Sequence, residues 1–529
     1  MKPHTRSTPP DPGASPLENP SAIHNVGSWI SRWSLRRPDR LAWADDAERV
    51  SYAEAELRIR RLTAWLLAQD VRAGDRIALW LGNRAATLEA LFACARVGAI
   101  ALPINARLTA AEVAFQLDDS RPKLVFAEPA GRERAEQAVA LAAHATPPVV
   151  EVGAEHQSRL SAEPPTQYCA RVVPDDPMLL MYTSGTTGKP KGALLPHRKA
   201  LYNCLNAQLF FDIRSEDHVL VVAPLFHSLG LQILALPALY AGASVRLQQG
   251  FDPQRVWQTI EAEGITYFGG VPTMHQRLLD ALAADRPPVA PPPSLRFAFT
   301  AGAAASRELI QGFHRHELLM KQGYGQTETS ILTCLEPEQA LDKAGSVGRP
   351  VFHAELRLID PDTIAGPPDG WRDAALGQVG EIVVRGPTTM LGYWERPEAT
   401  AETLRDGWLR TGDLATRDED FDVTLVGRAR EMYICGGEKV YPAEIEATLI
   451  EHPSIAEAAV VAVEDAQWGE VGRAHVVPRA GSRIEVAAIV DWLDTRLARF
   501  KQPREIVIER ALPRTASGKI QKHQLQSRS

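Results

Sequence analysis

Between residues 51 and 128 the apolar and polar positions alternate between two periods. Segments 54–68 and 85–97 carry apolar residues at three- and four-residue spacing, which predicts helices. Segments 76–80 and 100–103 are short apolar runs, which predict buried strands, and 112–117 with 123–126 repeats the scheme. The alternation resumes past residue 200, with strands expected at 218–222, 244–247, 266–268 and 295–299. Helices are expected at 229–240, 253–263, 272–283 and 307–316. Helices interleaved with short apolar strands imply parallel sheet joined by βαβ crossovers. Beyond residue 351 the texture changes to short strands and turns, as at 354–359 and 381–385, which predicts a β-rich subdomain. The last hundred residues hold helix candidates at 443–452 and 487–497 with strands at 455–463 and 475–477, enough for a small α+β lid. The proline-rich stretch 287–293 reads as a surface loop.

The fold class expected is therefore α/β: a large N-terminal domain over 23–428 and a small α+β C-terminal lid domain over 429–529. Residues 1–22 are rich in proline and small polar residues, and read as a disordered lead-in without a signal peptide's apolar core. Segment 26–37 places Trp29, Ile30, Trp33 and Leu35 on one helical face, read as docking on the first domain; a membrane-surface helix is the alternative, so weak peripheral association stays open.

At 529 residues the chain has room for two or more domains. A net charge of −7 leaves no footprint for nucleic acid, and no apolar run reaches membrane-spanning length. The five cysteines are scattered without metal-ligand spacing and fit reduced thiols of a cytoplasmic enzyme.

Chemistry enters at residues 182–192, Tyr-Thr-Ser-Gly-Thr-Thr-Gly-Lys-Pro-Lys-Gly, which follow the apolar run Met178-Leu179-Leu180-Met181. A strand that empties into Thr183, Ser184, Gly185, Thr186, Thr187, Gly188 and Lys191 offers backbone N–H groups, hydroxyls and cations together, an apparatus for phosphate oxygens. It is not a Walker A loop: only two residues separate Gly185 from Gly188, and Pro190 removes a donor where that helix would begin. Downstream, His227 lies in Pro-Leu-Phe-His-Ser-Leu-Gly after a strand end and reads as a cleft lining. The small residues Ala301, Gly302, Ala303 and Ala304 end another strand and leave room for a flat ring. In Gly323-Tyr324-Gly325-Gln326-Thr327-Glu328-Thr329 an aromatic between glycines can stack on a purine, and Glu328 is a hard oxygen ligand suited to Mg²⁺. Asp413, in Gly-Trp-Leu-Arg-Thr-Gly-Asp, can accept from both hydroxyls of a ribose.

These strings, with Gly427-Arg428-Ala429-Arg430-Glu431, Gly436-Gly437 and Pro513-Arg514-Thr515-Ala516-Ser517-Gly518-Lys519, resemble the motifs of the adenylate-forming superfamily in its own order. That superfamily includes acyl-CoA synthetases, aryl-CoA ligases, peptide-synthetase adenylation domains and luciferases. The resemblance covers nearly all of residues 26–524. It implies an ATP-dependent acyl-CoA synthetase with Mg²⁺ and CoA, acting on an uncharged fatty, aromatic or polycyclic acid. By the same resemblance Lys519 is the catalytic lysine of adenylation, Thr327 meets the α-phosphate, Arg428 the ribose, and Arg430 is the hinge. His227, Gly270, Val271, Ala301, Gly302 and Thr329 would line the acyl pocket, and Gly436 and Gly437 the path of the thiol's arm. The chain departs from the family at Ala301 and Ala304, where Gly and Pro are usual, and at Asp420-Phe421-Asp422. No Asp accompanies His227 to hold a substrate amine, which argues against an amino acid. The alternatives are an enzyme that loads a carrier protein, or a non-catalytic ATP-binding protein. A homodimer stays open.

Overall fold

Short apolar strands bury both faces only when laid side by side under crossover helices. The computed structural model describes residues 23–153, 160–183, 190–284, 292–302, 305–514 and 520–526. The lead-in 1–22 and most of the 287–293 loop lie outside the described residues. The chain forms two compact units, Met1–Leu356 with Val384–Leu409, and Arg357–Val383 with Arg410–Ser529.

In the first unit one sheet runs, strand by neighbouring strand, through Ser346–Pro350, Ser330–Leu335, Leu319–Gln326, Phe297–Thr300, Tyr267–Gly270, His218–Val221, Ser244–Leu247, Leu41–Ala44 and Arg49–Ser51. Its middle, from Leu319–Gln326 to Leu41–Ala44, is parallel. A second sheet orders Gly392–Tyr393, Lys191–Pro196, Pro177–Thr183, Ile100–Pro103, Arg76–Trp80, Leu124–Ala127 and Val149–Glu151. The helices between strands are bounded by local chemistry. Asp252 accepts from Arg255 N and Pro253 opens the helix Pro253–Glu263, which stops at Gly264 with φ 62°. Thr109 and Glu112 form a reciprocal capping box on Ala110–Ser120. Under the first sheet, Leu220, Phe268, Ala298 and Met320 from four neighbouring strands pack on Val256, Ile260, Leu278, Ile310 and Phe313 from three helices. Each such large apolar side chain contributes about 1.5–3 kcal/mol by leaving water.

The helix Trp29–Arg36 docks on this unit, as its apolar face predicts. Trp29 and Ile30 are buried, Trp33 Nε1 donates to Tyr240 O at 3.0 Å, and Trp29 packs edge-on against the Tyr240 ring. Among the described residues no helix is long and apolar enough to cross a membrane.

One expectation is corrected. Residues 229–240 do not form a single α-helix: Leu229–Ala235 is a π-helix, followed by the α-helix Leu236–Ala241. Pro237 lacks the N–H an unbroken α-helix would use, and Gly230 is pressed on the preceding loop, where a Cβ would lie 2.4 Å from Pro224 O.

In the second unit Val423–Arg428 pairs antiparallel with the later part of Trp408–Arg417. A further sheet orders Glu438–Val440, Tyr433–Cys435, Gly469–Pro478 and Ile455–Asp465, with Glu505–Ile508 added parallel to Gly469–Pro478. The helices Pro442–Ile450 and Val486–Asp494 bring Ile445, Leu449, Ile489 and Leu493 to its core.

Candidate active site

Four parallel strands of the first unit end side by side, with Gly270, Thr300 and Gln322 in register. Just past those ends come Val271, Ala301 and Gly302, beside the run from Gly323 to Gln326 that closes the strand Leu319–Gln326, and His227 follows the neighbouring strand His218–Val221. This is the edge at which open α/β sheets take ligands. Ala301 N donates to Gly270 O at 3.3 Å. Gly302 has φ 89°, a conformation glycine adopts freely, and a Cβ there would have Val271 Cγ1 as its nearest neighbour at 3.5 Å. Gly270 faces Met274 and His275. The row therefore presents mostly backbone, with Val271 and Met274 as apolar walls.

The strand Leu319–Gln326 turns back antiparallel into Ser330–Leu335, with a register shift between Tyr324 and Gly325. The turn carries Thr327, Glu328 and Thr329. Gln326 N donates to Thr329 Oγ1 at 3.0 Å, and that hydroxyl donates to Ser330 O at 3.3 Å. A Cβ on Gly325 would fall 1.8 Å from Ser330 O, so the position admits no side chain. Glu328 is buried; its carbonyl accepts from Met390 N at 2.8 Å and its Oε1 from the Tyr393 hydroxyl at 3.0 Å. Lys191 Nζ stands 5.5 Å from the centroid of the same Tyr393 ring. One hard carboxylate, held by a phenol and close to a cation, fits an ion that takes few protein ligands and keeps its waters, as Mg²⁺ does.

The strand Pro177–Thr183 that feeds the phosphate loop pairs with Lys191–Pro196, Thr183 opposite Lys191. Tyr182 anchors its end by donating to Asp119 Oδ2 at 2.7 Å, and Asp119 also pairs with Arg396. Burial, then the Asp119 carboxylate, pushes the Tyr182 phenol far above its ordinary range. Ser184, Gly185, Thr186, Thr187 and Gly188, with Ala303, Ala304 and Lys519, lie outside the described residues.

Asp413 and Arg428 belong to the second unit, where they are cross-strand partners joined by an ion pair of 2.7 Å. Arg428 Nη1 also donates to Thr411 O at 3.3 Å, so the carboxylate and guanidinium are fixed together. Arg430 is exposed just beyond that strand. Gly436 and Gly437 are exposed with φ 60° and 90°; a Cβ on Gly436 would strike the Trp468 ring at 2.7 Å, whereas Gly437 opens on free space.

Two contributors escaped the sequence reading. Tyr393, the partner of Glu328, was signalled only by the aromatic pair after Gly392, a glycine whose added Cβ would meet Thr400 at 2.7 Å. Lys199 was not signalled at all, since a lone lysine on a helix ordinarily faces water.

Two family models match the chain. The model for AMP-binding enzymes matches residues 30–394, and that for the AMP-binding enzyme C-terminal domain matches residues 444–519. The chain belongs to the AMP-binding enzyme family, in the class of AMP-forming acid–thiol ligases. It is an ATP-dependent acyl-CoA synthetase that works through an acyl-adenylate. Feruloyl-CoA synthase of an Amycolatopsis species is 41% identical over 95% of this chain and 99% of its own length. Indoleacetate–CoA ligase of Aromatoleum aromaticum is 38% identical over 94% and 96%. Among solved structures, o-succinylbenzoate CoA synthetase of Bacillus subtilis with its acyl-adenylate intermediate superposes with a TM-score of 0.83 at 30% identity, covering 95% of this chain and 98% of that one. That these relatives are CoA ligases favours CoA over a carrier protein as the acceptor.

Proposed function

We propose that this enzyme joins an aromatic carboxylic acid to CoA in the cytoplasm, using ATP and Mg²⁺. The observation that carries the choice of acid is the row of bare strand ends, Gly270, Ala301 and Gly302 beside Val271. All four are small or apolar and none is charged, which suits a flat ring laid against their backbone. A planar ring loses little conformational freedom on packing against such a row, whereas a fatty chain must freeze many torsions. Relatives named for ferulate and indoleacetate support the same reading.

A carboxylate becomes an electrophile by attacking the α-phosphate of ATP, because AMP is then a good leaving group. Two anions must meet, so placed cations and donors matter more than a base. The loop from Thr183 to Lys191 grips the departing pyrophosphate. Thr327 donates to the α-phosphate, and Tyr324 stacks on adenine between Gly323 and Gly325, with Gln326, Gly302, Ala303 and Ala304 around the ring. Asp413 and Arg428 hold the ribose. Glu328, fixed by Tyr393, would hold Mg²⁺, which when bound would neutralise phosphate charge. His227 sits beside the acid's carboxylate, Thr329 lines the acyl pocket, and Lys519 bridges the carboxylate to the α-phosphate. In the second half-reaction a lid over residues 429–529 turns about Arg430, withdraws Lys519 and brings Gly436 and Gly437 to the thiol's arm.

The test is pyrophosphate release with CoA over a panel of hydroxycinnamates, arylacetates, benzoates and linear fatty acids. At least one aromatic acid should exceed every fatty acid in kcat/KM by about tenfold or more. A fatty acid at the head of the panel would refute the assignment.

A further inference from the structure

Three segments with different duties are linked through the side chains of Lys199 and Gln232. Lys199 lies in the helix His197–Phe211 and is completely shielded from solvent. Its ammonium donates to Gln232 Oε1 at 3.0 Å and to Ser330 Oγ. Gln232 belongs to the π-helix after His227, and its amide donates onward to Ser228 Oγ and Met181 Sδ, each at 3.2 Å. Met181 is on the strand that feeds the phosphate loop, and Ser330 follows Thr329. One helical turn on, Asn203 makes a second clasp between two of these segments. Its Nδ2 donates to Gln232 O at 2.6 Å, and its Oδ1 accepts from Ile331 N at 3.3 Å.

Two features make this more than packing. Ser330 has φ 61°, left-handed backbone that a residue with a side chain adopts only when its surroundings hold it there. A buried lysine is also costly: burial draws its pKa down to about 7, against the opposing pull of Glu328. An apolar residue of the same length would fill the space at less expense in free energy. What only the lysine supplies is a pair of strong donors, one to the glutamine behind His227 and one to the strained serine behind Glu328.

We propose that Lys199 is a positioning residue for adenylation. It fixes the left-handed turn at Ser330, and with it the directions of Thr327, Glu328 and Thr329 relative to the His227 segment. The proposal rests on the roles given above to that turn, and it is distinct from them because Lys199 touches no substrate.

Lys199→Met keeps the stem and removes the donors. Ser330 Oγ already donates to Gln232 Oε1 at 3.5 Å, a contact that outlasts the lysine and keeps the fold while the turn loses its strongest tether. Hydrogen exchange of the ligand-free enzyme should rise about tenfold across residues 323–331. In acid-dependent ATP–pyrophosphate exchange kcat should fall roughly 30- to 100-fold with KM for ATP changed less than about threefold, as a misplaced catalytic turn predicts. Ser330→Ala should match Lys199→Met, and the double variant should be no worse than either. Ser330→Gly relieves the backbone but leaves the buried ammonium one acceptor short, so it too should lower kcat. Unchanged exchange and kcat in Lys199→Met, losses that multiply in the double variant, or a fully active Ser330→Gly would each overturn the proposal. If Lys199→Met does not fold, the two serine variants decide alone. A wild type inactive on every acid would refute the functional reading, while a raised hydrogen exchange in Lys199→Met would still show that the lysine holds the turn.

Discussion

Mild acid should weaken the larger unit, because two imidazoles are locked inside it as neutral rings. His197 is buried at the start of its helix, where its Nδ1 accepts from Val26 N at 3.3 Å, and burial alone brings its pKa down to about 3. His275 is buried beneath the strand ends, paired with Phe299 O at 2.9 Å, and burial brings it to about 4 against the weaker pull of backbone carbonyls. In the unfolded chain both titrate near 6.5. Between that pH and their folded values the unfolded state binds more protons, so stability rises with pH and is lost as pH falls below about 6.5. At pH 5 each ring costs about 1.5 pH units at 1.36 kcal/mol per unit, or about 2 kcal/mol, and the pair about 4 kcal/mol. That is a large share of a typical stability of roughly 5–15 kcal/mol. The assay is urea-dependent hydrogen exchange of the core strand Arg76–Trp80 at pH 7.5 and 5, in the wild type and in His197→Asn/His275→Gln. Carboxylates contribute equally to both proteins, so the double variant, though weaker at pH 7.5, should lose about 4 kcal/mol less on acidification. Parallel pH dependences would refute the reasoning.

Gly325→Ala places a methyl 1.8 Å from the Ser330 carbonyl, which is backbone and cannot swing aside. The turn bearing Glu328 should open, cutting pyrophosphate exchange by roughly a hundredfold while most of the thermal stability remains. Lys519→Ala should slow adenylation by roughly a thousandfold yet leave the reaction of a supplied acyl-adenylate with CoA near the wild-type rate. Rapid-quench measurement of each half-reaction separates the two outcomes, and equal losses in both would refute the withdrawal of Lys519.

Much of the fold was legible because its signals are local. Ala85–Val97, Ile100–Pro103, Ser244–Leu247 and Pro253–Glu263 begin and end where the sequence pattern places them. Gly98, in the left-handed conformation, and Pro253 mark two of those ends. The motif strings were equally legible as strings, since ordered glycines, hydroxyls and charges name their chemistry without a fold. What stayed hidden depends on distant partners. The π-helix needs Pro237 and the loop beneath Gly230 to be considered together. The hairpin Leu319–Gln326/Ser330–Leu335 was hidden by its own motif, whose glycines and hydroxyls break the alternation that marks a strand. Lys199 is the extreme case: its acceptors are 33 and 131 residues away, and nothing in its own helix distinguishes it from a solvated lysine.

That hairpin constrains how the enzyme can diversify. Side chains along a ladder point alternately to opposite sides, so one residue inserted or lost between Leu319 and Tyr324 would exchange every outward group for an inward one. Tyr324 would trade places with a glycine. Variation here is confined to swapping one residue for another at constant length, and under the proposed assignment new acid preferences are better sought by editing Val271, Met274 and Ala301 than by grafting loops of foreign size.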